Sequence, residues 1–154
     1  MRILESTITI PAPPMVVWQV LTDLDRYAEW NPFVLEASGT VAVGETLRVR
    51  IRPEGGKAME FSPTVTAAEP GRRFAWLGRL WGISGLFDGA HRFDLAPAGG
   101  EAAGATRLVH GEDFRGVLVP LVLRSAAAGT QAGFAAMNNA LAARVAQIDA
   151  QGPA

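Results

Sequence analysis

The sequence predicts an α+β fold: a run of antiparallel strands with helices segregated to one face. Three observations carry this. Alternating apolar and polar residues recur between Val34 and Phe114, with turn residues between the runs. Two short helical patterns follow the first strand. One long helical pattern closes the chain, from about Val117 to Ile148. Strand side chains repeat with period two and helical ones with period 3.6, so the patterns are separable by eye. Grouped strands with grouped helices specify this class rather than a βαβ one.

Arg2–Ile10 is rich in Ile and Thr and reads as the first strand. Pro11, Pro13 and Pro14 stop it, and proline is tolerated in the first helical turn, so a helix starts there. Val17, Val20, Leu21 and Leu24 give that helix an apolar stripe. Asp25 is expected to cap a second, shorter helix, which ends at Trp30-Asn31-Pro32 because proline disfavours a helical residue before it. Val34–Val41 reads as a strand. Leu47, Val49 and Ile51 alternate with Arg48, Arg50 and Arg52 in the next. Met59, Phe61, Val65 and Ala67 mark the inner face of a third, Phe74 and Trp76 that of a fourth. A tight turn at Pro70-Gly71 predicts Val65 opposite Trp76 and Ala67 opposite Phe74. Leu77–Leu86, with Gly78, Gly82, Gly85 and Trp81, reads as a loop.

The last two strands hold the most informative residues. They run through Gly89-Ala-His91-Arg-Phe93-Asp-Leu95 and Thr106-Arg-Leu108-Val-His110-Gly-Glu112-Asp-Phe114. Phe93 and Leu95 set the inner face and carry His91 to it. Leu108 and Phe114 do the same for His110 and Glu112. The intervening loop, taken as Pro97–Gly104, predicts His91 opposite His110 and Phe93 opposite Leu108. Three ionisable groups therefore face an apolar interior, where each costs free energy unless partnered, wet or used. The terminal helix carries Leu118, Leu121 and Val122 at its start and Phe134, Met137, Leu141, Val145 and Ile148 near its end. Its centre, Ser125 to Gly133, holds only small or polar residues. Each glycine costs a helix about 1 kcal/mol relative to alanine. Gly129 and Gly133 therefore serve either close packing or a ligand volume.

The bulk numbers exclude several classes. A chain of 154 residues fits one domain, placed at 1–150. A net charge of −1 gives no footprint for nucleic acid or anionic lipid. The arginine ladder Arg48, Arg50, Arg52 reads as a solvated sheet face. With no cysteine there is no disulfide, thiolate catalyst or thiolate metal site. No signal peptide or membrane span is evident, and a cytoplasmic location is expected.

At this point the chain resembles the SRPBCC superfamily, also called START-like or helix-grip. That superfamily takes in Bet v 1-type allergens, polyketide cyclases, coenzyme Q-binding proteins and lipid-transfer domains. The segments that carry the resemblance are Ile10–Trp18, Thr22–Pro32, Gly89–Phe93 and Glu112–Gly116. The polyketide cyclase/dehydrase branch is the nearest. The resemblance implies a curved seven-stranded antiparallel sheet wrapped around the C-terminal helix and enclosing an apolar cavity. It specifies a fold and not a substrate.

His91, His110 and Glu112 support three readings: a hydrogen-bonded cluster in a cavity wall, polar groups that orient an apolar ligand, or an acid–base cluster. Two histidines and a carboxylate also match the ligand types of a facial iron triad, but the spacing is common. No metal and no cofactor are expected. The predicted ligand-binding wall is Val49, Phe61, Trp76, Trp81, Phe87, His91, His110 and Glu112, bordered by Ala126, Gly129 and Gly133. Trp81 is placed as a gate over the mouth. Trp18 and Trp30 read as ordinary core. The leading expectation is binding or carriage of a small hydrophobic molecule. The alternatives are a cyclase/dehydratase-type enzyme on a polyketide-like or aromatic substrate, and a co-chaperone-like module that binds a partner on its outer surface. The sequence sets no oligomeric state. Replacing Glu112 by Gln is expected to weaken binding more than folding, on the view that its charge is what the site uses.

Overall fold

The computed structural model describes residues 1–151. The chain runs β1 (Arg2–Ile10), α1 (Pro14–Thr22), a 3₁₀ turn (Leu24–Arg26), α2 (Tyr27–Trp30), β2 (Val34–Ser38), β3 (Arg48–Ile51), β4 (Met59–Phe61), β5 (Thr64–Glu69), β6 (Arg73–Arg79), β7 (Asp88–Pro97), β8 (Thr106–Arg115) and α3 (Val119–Gln151). The strands lie in the order β1-β8-β7-β6-β5, with β2-β3-β4 as a second antiparallel group. The two groups join through a bridge between Thr46 and Thr64 and through Leu47 N–H donating to the Pro63 carbonyl at 2.9 Å. The result is one strongly curved surface that grips α3.

Eight strands replace the expected seven because the third run, Met59 to Ala67, breaks in two. Pro63 has no N–H to give to a ladder, so pairing lapses at Ser62-Pro63 and resumes at Thr64. Val65 pairs with Trp76 as expected, but a bulge follows, and Ala67 faces Ala75 while Ala68 faces Phe74. Such bulges bend a strand and add to the curvature of the sheet. At the start of the helical segment Asp25 is not a cap: it lies inside the 3₁₀ turn, and α2 is preceded by Arg26. The stop at Trp30 has a further cause. Asn31 Oδ1 accepts from the backbone N–H groups of Phe33 and Val34 at 3.0 and 2.9 Å, turning the chain into β2.

The buried stripe of α3 runs through Val119, Leu123, Thr130, Phe134, Met137, Leu141 and Val145. Leu121 and Ile148 fall off that stripe and are exposed, contrary to the sequence pattern. Gly129 and Gly133 serve close approach. Glu54 N–H donates to the Gly129 carbonyl at 3.2 Å, and a Cβ at Gly129 would sit 2.6 Å from the Glu54 carbonyl oxygen. A Cβ at Gly133 would strike the ring of Phe33, which is itself pinned edge-on to Phe134 at 5.4 Å. Gly133→Ala gains about 1 kcal/mol of helix propensity but overpacks a closed core, which costs typically 1–3 kcal/mol. The expected result is a net loss of ~1 kcal/mol and a melting point lower by about 3 °C. An unchanged or higher melting point would show that the Phe33 ring gives way freely.

Candidate functional site

β7 and β8 are the central strands of the larger sheet, and their inner faces supply the site. Glu112 lies opposite His91, Phe93 opposite His110 and Leu95 opposite Leu108. The expected facing is right and the register is two residues off. The chain pairs through to Pro97 and Thr106 and turns over residues 98–105, which moves every partner by two without changing its face.

A hydrogen-bond chain runs inward from this pair. Glu112 Oε2 lies 3.3 Å from His91 Nδ1, and His91 Nε2 lies 2.8 Å from His110 Nε2. His110 Nδ1 lies 3.0 Å from Asn138 Oδ1 on α3, and Asn138 Nδ2 donates to the Ser6 carbonyl on β1 at 3.4 Å. Aromatic rings wall the chain in. Trp76 stacks on His91 at 4.6 Å and 2°, and His110 sits between Phe93 at 4.4 Å and Phe134 at 4.1 Å.

The donor inventory fixes the direction of this chain. A backbone carbonyl only accepts, so Asn138 turns its amide to Ser6 and its oxygen to His110. His110 then carries its hydrogen on Nδ1 and leaves Nε2 bare. His91 must donate from Nε2, and burial keeps its ring neutral, with a single hydrogen, which leaves its Nδ1 bare in turn. A bare nitrogen accepts, so Glu112 supplies the hydrogen and is a neutral carboxylic acid. Electrostatics agree. Burial, aided by the nearby Asp113 charge, pushes the Glu112 carboxyl up to about 8. Burial, aided by Arg92, holds His91 down to about 3, and burial with the neighbouring His91 holds His110 well below its ordinary value. In this arrangement Glu112 is a neutral acid and presents no charge to the cavity.

Next to Glu112, between the sheet and α3, is a cavity of about 250 Å³. Phe61, Phe87, Glu112 and Ala126, all expected in its wall, line it, joined by Phe33, Phe114, Leu123 and Thr130. Gly89 lies in its floor, and the Glu112 Oε1 atom rests over the Gly89 Cα where any side chain would displace it. Oε1 has no hydrogen-bond partner among the described residues and opens on the cavity. The walls are mostly apolar. Glu60 and Arg79 are exposed, and Arg79 pairs with Asp88 at 3.9 Å.

Other expected wall residues stand elsewhere. His91, His110 and Trp76 lie behind Glu112, beneath the cavity floor. Val49 is packed in the core, and Gly129 and Gly133 are occupied by Glu54 and Phe33. Trp81 is 79% exposed and holds a left-handed φ of 53°. It does not line the cavity, although its loop neighbours Leu80 and Phe87 do. Parity with Glu112 pointed to Phe114, and one-turn spacing from Ala126 pointed to Thr130. Phe33 is one of the aromatics that the sequence offers as cavity lining, with ordinary core as the other reading, and it lines the cavity. His91 and His110 aim their Nε2 atoms at each other, which leaves no room for an ion between them. A second depression, about 310 Å³, lies at the surface along Asp25, Glu36, Arg48, Arg50 and Glu60. Its charges are mixed, and Arg50 pairs with Glu36 at 3.4 Å.

A curved antiparallel sheet closed on a long terminal helix around an apolar cavity is the START-like, helix-grip arrangement. The chain belongs to the polyketide cyclase / dehydrase and lipid transport family, whose model matches residues 1–146. Solved structures share the fold. A protein from Thermus thermophilus is 16% identical with a TM-score of 0.72, covering 95% of this chain and 98% of the other. A START superfamily protein from Mycobacterium smegmatis is 20% identical with a TM-score of 0.68, over 94% and 97%. The Zhui aromatase/cyclase from a Streptomyces species is 18% identical with a TM-score of 0.65, over 95% and 94%. No curated protein matches in sequence.

Proposed function

We propose that this protein binds a small, largely apolar molecule in the cavity between the sheet and α3. One observation carries the reading: a mostly apolar cavity of about 250 Å³ with a single neutral carboxyl group open to it. Pockets for small molecules have this make-up, apolar walls with a few placed polar groups. The cavity is near the lower end of the usual range of about 300–1,000 Å³, so it suits a ligand of two or three fused rings or a short acyl chain. The family name, with its lipid transport and cyclase members, supports the same class of ligand.

A cyclase- or dehydratase-type activity is the second reading, favoured by the Glu112–His91–His110 chain. Against it, α3 presents only Thr130 and aliphatic side chains to the cavity, and the other ionisable groups that line it, Glu60 and Arg79, are exposed, with Arg79 paired to Asp88. Binding needs no second acid or base, whereas acid–base turnover of a bound carbonyl compound needs one held at the reacting atoms and shielded from water.

Ala126→Trp tests the reading. Its side chain is placed to fill the cavity from the α3 side. Binding of a neutral solvatochromic dye such as Nile red is expected to fall at least about tenfold, the equivalent of about 1.4 kcal/mol, with the fold intact by circular dichroism. Dye binding that survives the substitution would place the ligand outside this cavity.

A further inference from the structure

The direction of the hydrogen-bond chain has a consequence for what the cavity recognises. A carboxylic acid has one hydrogen. In Glu112 it sits on Oε2 and is given to His91 Nδ1. The oxygen left to the cavity, Oε1, is a carbonyl oxygen, which accepts hydrogen bonds and carries no charge. It lies over Gly89 in the cavity floor, with no partner among the described residues. The Glu112 side chain is partly exposed at the cavity, so water can reach this acceptor, and a ligand that displaces the water loses affinity unless it brings a donor of its own.

We propose that the ligand carries a hydroxyl or similar uncharged hydrogen-bond donor on an apolar frame, and that this donor seats on Glu112 Oε1. The inference rests on the reading that the cavity binds a small apolar molecule, and it names the chemistry that reading leaves open. A pure hydrocarbon leaves Oε1 unpaired. A ligand with only acceptor oxygens sets two lone pairs against each other. A carboxylate would set a negative charge and acceptor oxygens alone against a carbonyl oxygen. His91 and His110 act as positioning residues. They hold the acid in the orientation that presents its carbonyl and not its hydrogen. The other charged groups facing the cavity are Arg79 from β6 and Glu60 from β4. Asp113 lies beside Glu112 on β8, and α3 contributes none among the described lining residues.

Glutamine is the close mimic of this form. Its amide nitrogen would donate to His91 Nδ1 in place of the acid hydrogen, and its oxygen would keep the place of Oε1. Glu112→Gln is therefore expected to preserve selectivity. An ionised glutamate would instead be badly mimicked, because the chain would have to run the other way.

The experiment uses three matched probes, naphthol, methoxynaphthalene and methylnaphthalene, titrated calorimetrically into the wild type, Glu112→Gln and Glu112→Leu. The wild type and the Gln variant are expected to bind naphthol about tenfold more tightly than either analogue, the worth of one well-placed hydrogen bond. The Leu variant is expected to bind all three within about twofold of one another. Because the Leu variant leaves His91 Nδ1 unpaired and is at risk of misfolding, a second readout uses wild type alone. Nitrogen chemical shifts of the two imidazoles are expected to show hydrogen on Nε2 of His91 and on Nδ1 of His110. The outcomes separate cleanly. If none of the probes binds wild type, the apolar-cavity reading fails and takes this inference with it. Equal binding of all three keeps the cavity and overturns the donor preference. Loss of naphthol selectivity in the Gln variant, or hydrogen on Nδ1 of His91, shows an ionised Glu112 and overturns the proposal.

Discussion

His110→Ala is expected to destabilise the protein by more than the ~3–5 kcal/mol typical of deleting a large buried ring. Two costs add. The first is packing. His110 is fully buried, and its ring is stacked on Phe134 and tilted against Phe93, so removing it opens a void those rings cannot close. The second is polar. Asn138 Oδ1 and the His91 Nε2 hydrogen both lose their partner, and each unsatisfied buried group costs about 1–3 kcal/mol. His110→Phe separates them. It keeps the aromatic stack and forfeits only the hydrogen bonds, so its loss reads the polar share and is expected at about 2–4 kcal/mol. Chemical denaturation of both variants at one pH gives the comparison. A Phe variant as stable as wild type would mean that the histidine is a space-filler and the chain through it contributes nothing.

The parts of this arrangement that are legible in the sequence are the local ones. Alternation alone puts His91, His110 and Glu112 on the inner face, because Phe93, Leu108 and Phe114 share their parity. A two-residue turn leaves little freedom, and it puts Val65 opposite Trp76. Longer connections defeat the same reasoning. Placing the turn after β7 one residue too early along the chain sets His91 against His110 instead of Glu112. Both registers satisfy the same parity, and nothing in the strands distinguishes them. Pro63 is visible as a proline, but its effect depends on whether a ladder partner needs that N–H, which only the fold shows. The same holds for Gly129 and Gly133. A pair of helical glycines one turn apart signals a close neighbour or an empty volume, and the neighbours, Glu54 and Phe33, come from distant segments. The protonation state of Glu112 is least legible. It follows from the Ser6 carbonyl, which meets Asn138 across 132 residues of chain and sets the direction of the donors back to the cavity. A carboxylate and a carboxylic acid have the same letter in a sequence.

Stability is expected to peak near pH 6.5 and to fall on both sides, because the cluster is neutral when folded. The two histidines are the only ones in the chain. Their folded values lie far below the ordinary 6.5, while that of Glu112 is raised from 4.5 to about 8. Between pH 6.5 and 8 the native protein holds the Glu112 proton and the unfolded chain does not. Raising the pH then favours unfolding by about 1.4 kcal/mol per unit, or ~2 kcal/mol across the window. Between pH 4.5 and 6.5 the unfolded chain binds two histidine protons and the native state keeps one on Glu112. The net difference of one proton reverses the sign, and stability rises with pH at the same slope. Glu112→Gln removes the carboxyl from both states. The alkaline fall disappears, leaving a plateau above pH 6.5, and the acid limb steepens to about 2.7 kcal/mol per unit, since two histidine protons are no longer offset. The Gln variant is thus expected to be at least as stable as wild type at pH 7 and to gain on it up to pH 8. Urea denaturation of both proteins from pH 4.5 to 8.5 reads these limbs directly. A wild-type profile flat between pH 6.5 and 8 would mean that Glu112 is ionised in the folded protein. His91 would then donate from Nδ1, its bare Nε2 would face the bare Nε2 of His110, and the chain as drawn from Ser6 could not stand.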